Sequence, residues 1–222
     1  MNMIAKIHTD YKEKFGIPRQ SGLVKEPVGK IVFEKEYQVP EAFRGLDEFS
    51  HIWILWQFSQ SIRENWSPTV RPPLLGGNKR VGVFATRSPF RPNSIGLSCV
   101  KLEKIVMDKK DGPILYVTGA DLLDQTPIFD IKPYLPYTDS IPDAVGGFTE
   151  HLAERKLEVE ICTNEFATMP PQLQQEIIRI LSCDPRPSYQ NTPRIYGMKY
   201  NHYDIRFQVD HQVLKILSVK KV

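Results

Sequence analysis

The chain has 222 residues, 41% of them hydrophobic, with 29 Lys and Arg against 26 Asp and Glu for a formal charge of +3. That length holds one large domain, or one domain with a small companion, around a real core. The charge is too weak to diagnose nucleic-acid binding by itself. Three cysteines, Cys99, Cys162 and Cys183, are odd in number and far apart, which argues against a disulfide framework or a Cys-type zinc site. The opening MNMIAKIHTD lacks the apolar core of a signal peptide, and the strongest apolar run, residues 52–58, is far short of the roughly 20 residues a membrane helix needs. A soluble cytoplasmic protein is the expectation.

The first two thirds read as β. Residues 29–37 contain Ile31-Val32-Phe33, suited to a strand. Residues 51–58 (HIWILWQF) are short, aromatic and β-branched, which predicts a strand buried on both faces. Residues 81–85 and 95–102 read as two strands flanking a nine-residue insert, longer than a tight hairpin needs. In that insert Pro89 and Pro92 stiffen the backbone around Arg87 and Arg91. Two guanidinium forks on a stiffened loop suit a carboxylate or phosphate, and suit equally well a solvated loop whose arginines pair with surface acids. DKKDGP at 108–113 is a turn leading into a return strand at 114–118, and residues 121–131 add one more short strand. Many short strands joined by Gly/Pro turns predict a barrel or closed sandwich.

A boundary is expected in the Gly-, Pro- and Asp-rich stretch 137–148, dividing a unit at 1–140 from a small α+β unit at 149–222. In the second unit residues 156–161 alternate like a strand. Residues 170–181 read as a helix with proline in its first turn and Leu173, Ile177, Ile180 and Leu181 on one face. Residues 203–209 and 212–219 read as a C-terminal hairpin.

Familiar chemistry is missing. No G-x-G-x-x-G, P-loop or G-x-S-x-G string occurs, and the histidines at 8, 51, 151, 202 and 211 have no metal spacing, so neither a Rossmann cofactor site nor a metal is expected. His51 beside an apolar strand reads as a structural histidine.

The string VGVFATRSPFRPN at 81–93 resembles the signature of the TsaA-like family, whose characterised members are TrmO-type tRNA (adenine-N6)-methyltransferases. Pro18-Arg19-Gln20, Gly45-Leu46 with Phe49-Ser50-His51, PTVRPPLLGG at 68–77, DIKPY at 130–134 and DPRPSY at 184–189 agree with it. The resemblance implies a mainly β fold, a non-Rossmann β-barrel that binds S-adenosylmethionine, with a small α+β C-terminal domain and a homodimer completing the site. The expected product is N6-methylated threonylcarbamoyladenosine at tRNA position 37.

Carried over residue by residue, the resemblance assigns the cofactor to Pro18, Arg19, Gln20, Arg87, Leu97 and the run Asp121, Leu122, Leu123, Asp124. It adds Ser59 and Gln60, where relatives carry His-Gln and this chain departs at Ser59. An arginine suits the methionine carboxylate, the aspartates suit ribose hydroxyls or the adenine amine, and the backbone of Leu122 and Leu123 suits the adenine edge. Turn capping is the plain alternative for Asp121 and Asp124, and core packing for Leu97. Asp130, Lys132, Tyr134 and Asn93 are the candidates for a base or for orienting the acceptor, against a buried ion pair that stabilises a turn. Arg71 or Arg91 suits the threonyl carboxylate. Residues 186–206 carry Arg186, Arg194, Lys199 and Arg206 interleaved with tyrosines, so Arg186, Tyr189 and Arg194 are expected to contact tRNA unless the tyrosines pack the small domain. A methyltransferase of another nucleotide or small metabolite, and a noncatalytic RNA-binding module, are the alternative functions.

Overall fold

The computed structural model describes residues 1–150, 156–186 and 194–222. Six antiparallel strands close into a barrel in the order β1-β2-β7-β6-β3-β8. They are β1 (Ala5–His8), β2 (Val28–Phe33), β3 (His51–Gln57), and, after a short ribbon of β4 (Thr69–Val70) and β5 (Val81–Gly82), β6 (Ile95–Asp108), β7 (Gly112–Thr118) and β8 (Thr126–Pro133). Alternation with period two fills the barrel. Ile7, Ile31, Ile52, Ile54, Leu115 and Ile128 are fully buried inside it. Register shifts at Leu55/Trp56 and at Leu102/Lys104 bend the strands where closure demands it.

Two expectations are corrected here. β3 is not buried on both faces: Ile52, Ile54 and Trp56 point inward while His51, Trp53, Leu55 and Gln57 are half-buried on the outside. An antiparallel barrel covers only one face of each strand. The run 81–85 is not a strand paired with 95–102 either. Only Val81–Gly82 extends, it pairs with Thr69–Val70, and Val83–Ala85 turns into a 3₁₀ helix. The arginine loop therefore belongs to a ribbon with residues 62–70 and not to a hairpin.

After β8 the chain makes one helical turn, α1 (Pro136–Asp139). Asp139 accepts from Trp53 Nε1 at 2.8 Å and from Leu135 N at 2.9 Å, and the backbone bond with the Trp53 bond holds its carboxyl below the ordinary value. The C-terminal unit is a four-stranded sheet in the order β10-β11-β12-β9, built from β9 (Glu158–Ile161), β10 (Ile195–Tyr200), β11 (Tyr203–Asp210) and β12 (Val213–Lys221), with α2 (Pro171–Ser182) against it. Pro171 opens α2, where a missing N–H costs nothing, and Ile177, Ile180 and Leu181 are buried in one core with Ile205, Phe207, Leu214 and Ile216. β10 has no counterpart in the sequence reading.

Between the two units runs a strap, residues 9–24, that the boundary at 137–148 does not foresee. Its Tyr11 and Val24 belong to the C-terminal core, and Phe15 stacks on Tyr196 and Phe207 with centroids 6.2 Å away in each case. Gly16 has φ +96°, and a Cβ there would overlap the Met198 side chain, so only glycine fits. Tyr200, buried beside Tyr11, donates to the buried Glu176 carboxylate at 2.7 Å. Burial pushes both phenols well above their ordinary value. The strap returns to the barrel where Gly22 N meets Gly119 O at 2.8 Å.

Candidate active site

Strap, barrel and arginine ribbon enclose a cavity of about 530 Å³ at one end of the barrel, within the range of small-molecule sites. The barrel floor comes from Trp56 and Gln57 at the end of β3, from Ile95, Gly96 and Leu97 at the start of β6, and from Asp121, Leu123 and Thr126 before and at the start of β8. Trp56 lies flat against Gly96, where any Cβ would collide with the indole ring. Its Nε1 donates to Ser98 Oγ at 2.9 Å, and Ser98 donates onward to Asp121 Oδ1 at 2.6 Å. A buried indole N–H needs a partner, so this chain fixes Trp56 and the carboxylate together. Burial raises the Asp121 carboxyl above its ordinary value, while the Ser98 bond and the Arg87 charge pull it back. Asp121 is the one carboxylate on the cavity wall among the described residues.

The strap supplies Lys14, Ile17, Pro18, Arg19 and Gln20. Lys14 Nζ ties the strap to the turn after β3 through Gln60 O at 2.6 Å and Ser61 Oγ at 3.0 Å. Arg19 Nη2 donates to the carbonyls of Asp184, at 3.2 Å, and Arg186, which clamps the strap to the C-terminal unit. Burial lowers the Arg19 pKa, with the Asp184 charge opposing. The ribbon supplies Thr86, Arg87, Pro89 and Arg91. Arg87 donates to Gln20 Oε1 and Arg91 to Thr86 O at 3.0 Å. Four cations, Lys14, Arg19, Arg87 and Arg91, thus face one carboxylate. A bound molecule there is expected to carry an anion for the guanidinium forks and a hydrogen-bond donor for Asp121.

Of the residues singled out in the sequence, Pro18, Arg19, Gln20, Ser59, Gln60, Arg87, Arg91, Leu97, Asp121 and Leu123 come together on this wall. Leu97 is 53% exposed and not a core residue. Leu122 lies off this wall: it is fully buried in the barrel core, and its carbonyl accepts from Thr9 Oγ1 at 3.0 Å. Asp124 lies off it as well. Its carboxylate takes Thr9 N at 3.0 Å and Lys12 Nζ at 2.9 Å, a tie for the start of the strap. Burial opposes its charge, but those bonds keep the carboxyl below its ordinary value.

Asp130, Lys132 and Tyr134 lie outside the cavity. Asp130 is opposite Leu55 on β3, and Leu55 is opposite Leu97 on β6, so one row on the barrel exterior joins Asp130 to the cavity rim. The Asp130–Lys132 pair, 3.1 Å apart, is solvent-exposed and not buried. Tyr134 packs its ring on His51 and Trp53. Asn93 is exposed on the arginine loop and Arg71 on the ribbon, both off the cavity wall. Arg186 is held by Asp184 at 2.9 and 3.0 Å, and Arg194 lies 4.5 Å over the Tyr196 ring. Tyr189 lies outside the described residues. Lys14, Ile17, Trp56, Phe58 and Thr86 also line the cavity without having been singled out. Each sits within a few residues of a string that was, and that proximity was the available signal.

Among the described residues no group of three His, Cys, Asp or Glu is arranged to hold a metal, and no helix is long and apolar enough to cross a membrane. Comparison with known proteins agrees with this architecture. The tRNA-methyltransferase O N-terminal domain matches residues 6–140, and the TrmO C-terminal domain matches residues 153–222. A tRNA (adenine(37)-N6)-methyltransferase of Escherichia coli is 41% identical over 98% of this chain and 96% of its own length. One of the same name from Eikenella corrodens is 44% identical over 78% of this chain and 98% of its own. A crystal structure of TrmO from P. aeruginosa superposes with a TM-score of 0.77 at 32% identity, covering 99% of this chain and 95% of that one. With both domain matches in register with the barrel and the C-terminal sheet, the chain belongs to the TrmO family of tRNA methyltransferases.

Proposed function

We propose that this protein is an S-adenosylmethionine-dependent tRNA methyltransferase that methylates N6 of threonylcarbamoyladenosine at position 37. The observation that carries the reading is the cavity wall itself. A single half-buried carboxylate and four cations close around an apolar barrel mouth, in a chain whose relatives are named for that reaction. A tRNA-modifying role also fits a cytoplasmic protein.

The residues fit S-adenosylmethionine. When bound, it supplies an electrophilic methyl group carried on a sulfonium. Arg87 is the better clamp for its α-carboxylate, because Arg19 is already engaged by the Asp184 and Arg186 carbonyls. Asp121 accepts from ribose hydroxyls or the adenine amine. Pro18, Gln20, Gln60 and Leu123 offer backbone groups, while Trp56, Ile17 and Leu97 shield the site from water. Methyl transfer is an in-line displacement, so the chain's work is alignment and water exclusion. The acceptor nitrogen is acylated and its proton correspondingly acidic, so a modest base removes it.

Asp130, with Lys132 and Tyr134, remains our candidate for that base, and Asn93 for orienting the acceptor. The outer row of half-buried Trp53, Leu55 and Cys99 with exposed Leu97 runs from Asp130 to the cavity rim. A homodimer across this row would cover apolar surface and enclose Asp130 near a site. Arg91 on the rim and Arg71 on the ribbon suit the threonyl carboxylate, and Arg186, Tyr189 and Arg194 remain candidate tRNA contacts.

The deciding experiment is transfer of labelled methyl from S-adenosylmethionine to tRNA from cells lacking this protein, followed by nucleoside analysis. Label in N6-methylated threonylcarbamoyladenosine is expected. Label in another nucleoside would replace the substrate. No label together with no cofactor binding by calorimetry would sink the reading and favour an RNA-binding module.

A further inference from the structure

Residues 62–91 hold six cations and a single acid, Glu64. Their backbone is closed on itself by the β4–β5 ladder, by Ser67 N on Phe90 O at 3.1 Å and by Val83 N on Pro68 O at 3.0 Å. Arg80 adds a bond to Thr69 Oγ1 at 2.9 Å. On this ribbon Trp66 and Phe84, 48% and 71% exposed, lie ring to ring with centroids 6.0 Å apart and planes 25° from parallel. Two large aromatic rings left stacked in water are a feature that folding alone does not require. Arg63 covers the neighbouring Phe90 ring at 3.6 Å. Among the described residues, none of Arg63, Arg71, Lys79 and Arg80 has an ion-pair partner.

The position matters as much as the composition. Phe84 is two residues from Thr86 and Trp66 five from Ser61, and both Thr86 and Ser61 line the cavity. Trp66 also precedes Ser67, whose N–H donates to Phe90 O between Pro89 and Arg91 of the wall, so the aromatic pair stands near the cavity mouth on a hydrogen-bonded support.

We propose that Trp66 and Phe84 form a stacking platform for an unpaired base of the RNA substrate, with Arg71, Lys79 and Arg80 holding the flanking phosphates. This rests on the tRNA reading above. A base that enters an enclosed pocket leaves its stack, and its neighbours lose a partner. An aromatic face replaces that partner without reading sequence, and cations track the backbone beside it. Charge decides the class of occupant. A second copy of this chain, whose corresponding surface carries the same cations, would meet repulsion at the ribbon, whereas a polyanion is matched.

The test compares Trp66→Ala, Phe84→Ala and Trp66→Phe with the unaltered full-length protein. The readouts are KM for tRNA, calorimetric Kd for S-adenosylmethionine, and mass by sedimentation. The expected result is a rise of about tenfold or more in KM for tRNA with each alanine, partial recovery with Trp66→Phe, and unchanged cofactor Kd and mass. Unchanged KM in both alanine variants overturns the platform while leaving the methyltransferase reading intact. A change of mass also overturns it, by giving the pair to a second copy. If the unaltered protein neither binds nor methylates tRNA, the underlying reading fails and the platform fails with it.

Discussion

Residues 62–91 and residues 186–206 look alike as sequence: each interleaves aromatic rings with arginines and lysines, and each contains a single acid. Among the described residues their packing differs. In the second region Tyr196 and Tyr200 are buried in the C-terminal core. Arg206 is paired with Asp204 at 2.9 Å, Arg186 with Asp184, and Arg194 lies against Tyr196. In the first region Trp66 and Phe84 face solvent, and among the described residues none of Arg63, Arg71, Lys79 and Arg80 has an ion-pair partner. The cause is layering. β10 and β11 lie in a four-stranded sheet with α2 packed against it, so every second side chain is drawn into a core. The ribbon has only two-residue strands, and its aromatic pair is left in solvent. A second layer decides which interleaved rings are drawn into a core and which stay open to a ligand.

The sharpest way to break this comparison is stability. Phe207 is fully buried between α2 and the strap. Phe207→Ala is expected to cost about 3–5 kcal/mol in urea denaturation, whereas Phe84→Ala on the ribbon should stay within about 0.5 kcal/mol. Equal losses would mean that the ribbon rings are structural.

Between the two regions in sequence stands Asp121, whose carboxylate is half-buried at the cavity floor. Asp121→Asn should lower S-adenosylmethionine affinity by about tenfold or more by calorimetry, since hydrogen bonds to a charged group are worth roughly 1.5–3 kcal/mol. The same variant carries a pH signature. Burial raises the Asp121 pKa on folding, so the folded chain binds this proton more readily than the unfolded chain. Its contribution to stability is therefore greatest at low pH and falls as pH rises from the ordinary carboxylate range through the raised value. Denaturation at a series of pH values should show that descent flattened in Asp121→Asn; an identical profile would remove Asp121 as its source.

The smallest effect concerns salt. Arg80→Ala should reduce the slope of log Kd for tRNA against log salt by about 0.7, the value for one phosphate of a single strand. Arg206→Ala should leave the slope unchanged, because that arginine is already neutralised by Asp204. Matching slopes for the two variants would erase the electrostatic half of the comparison.

Much of the molecule was legible before folding was considered. Short apolar and β-branched runs bounded by turns located most of the barrel strands, and the 3.6-residue period with proline at its start located α2. The strings around Pro18, Arg87 and Asp121 marked the wall that structure assembles. Strand pairing was not legible, because the run 81–85 has strand-like residues whose partner proved to be Thr69–Val70. Nor was the strap, whose Tyr11, Phe15 and Val24 serve a core built by residues more than 140 positions away.

What the sequence determined by itself was local: which segments extend, which turn, and which residue types are present to bind an anion and a donor. Which side of a strand a carboxylate faces was decided only by closure. Barrel closure left Asp130 on the outer face of β8, the loop between β7 and β8 carried Asp121 to the cavity wall, and the strap joined two units that composition separates at 137–148. Alternation fixes that neighbouring residues face opposite ways, but only the register of distant strands and the layers packed on them decide which way is in.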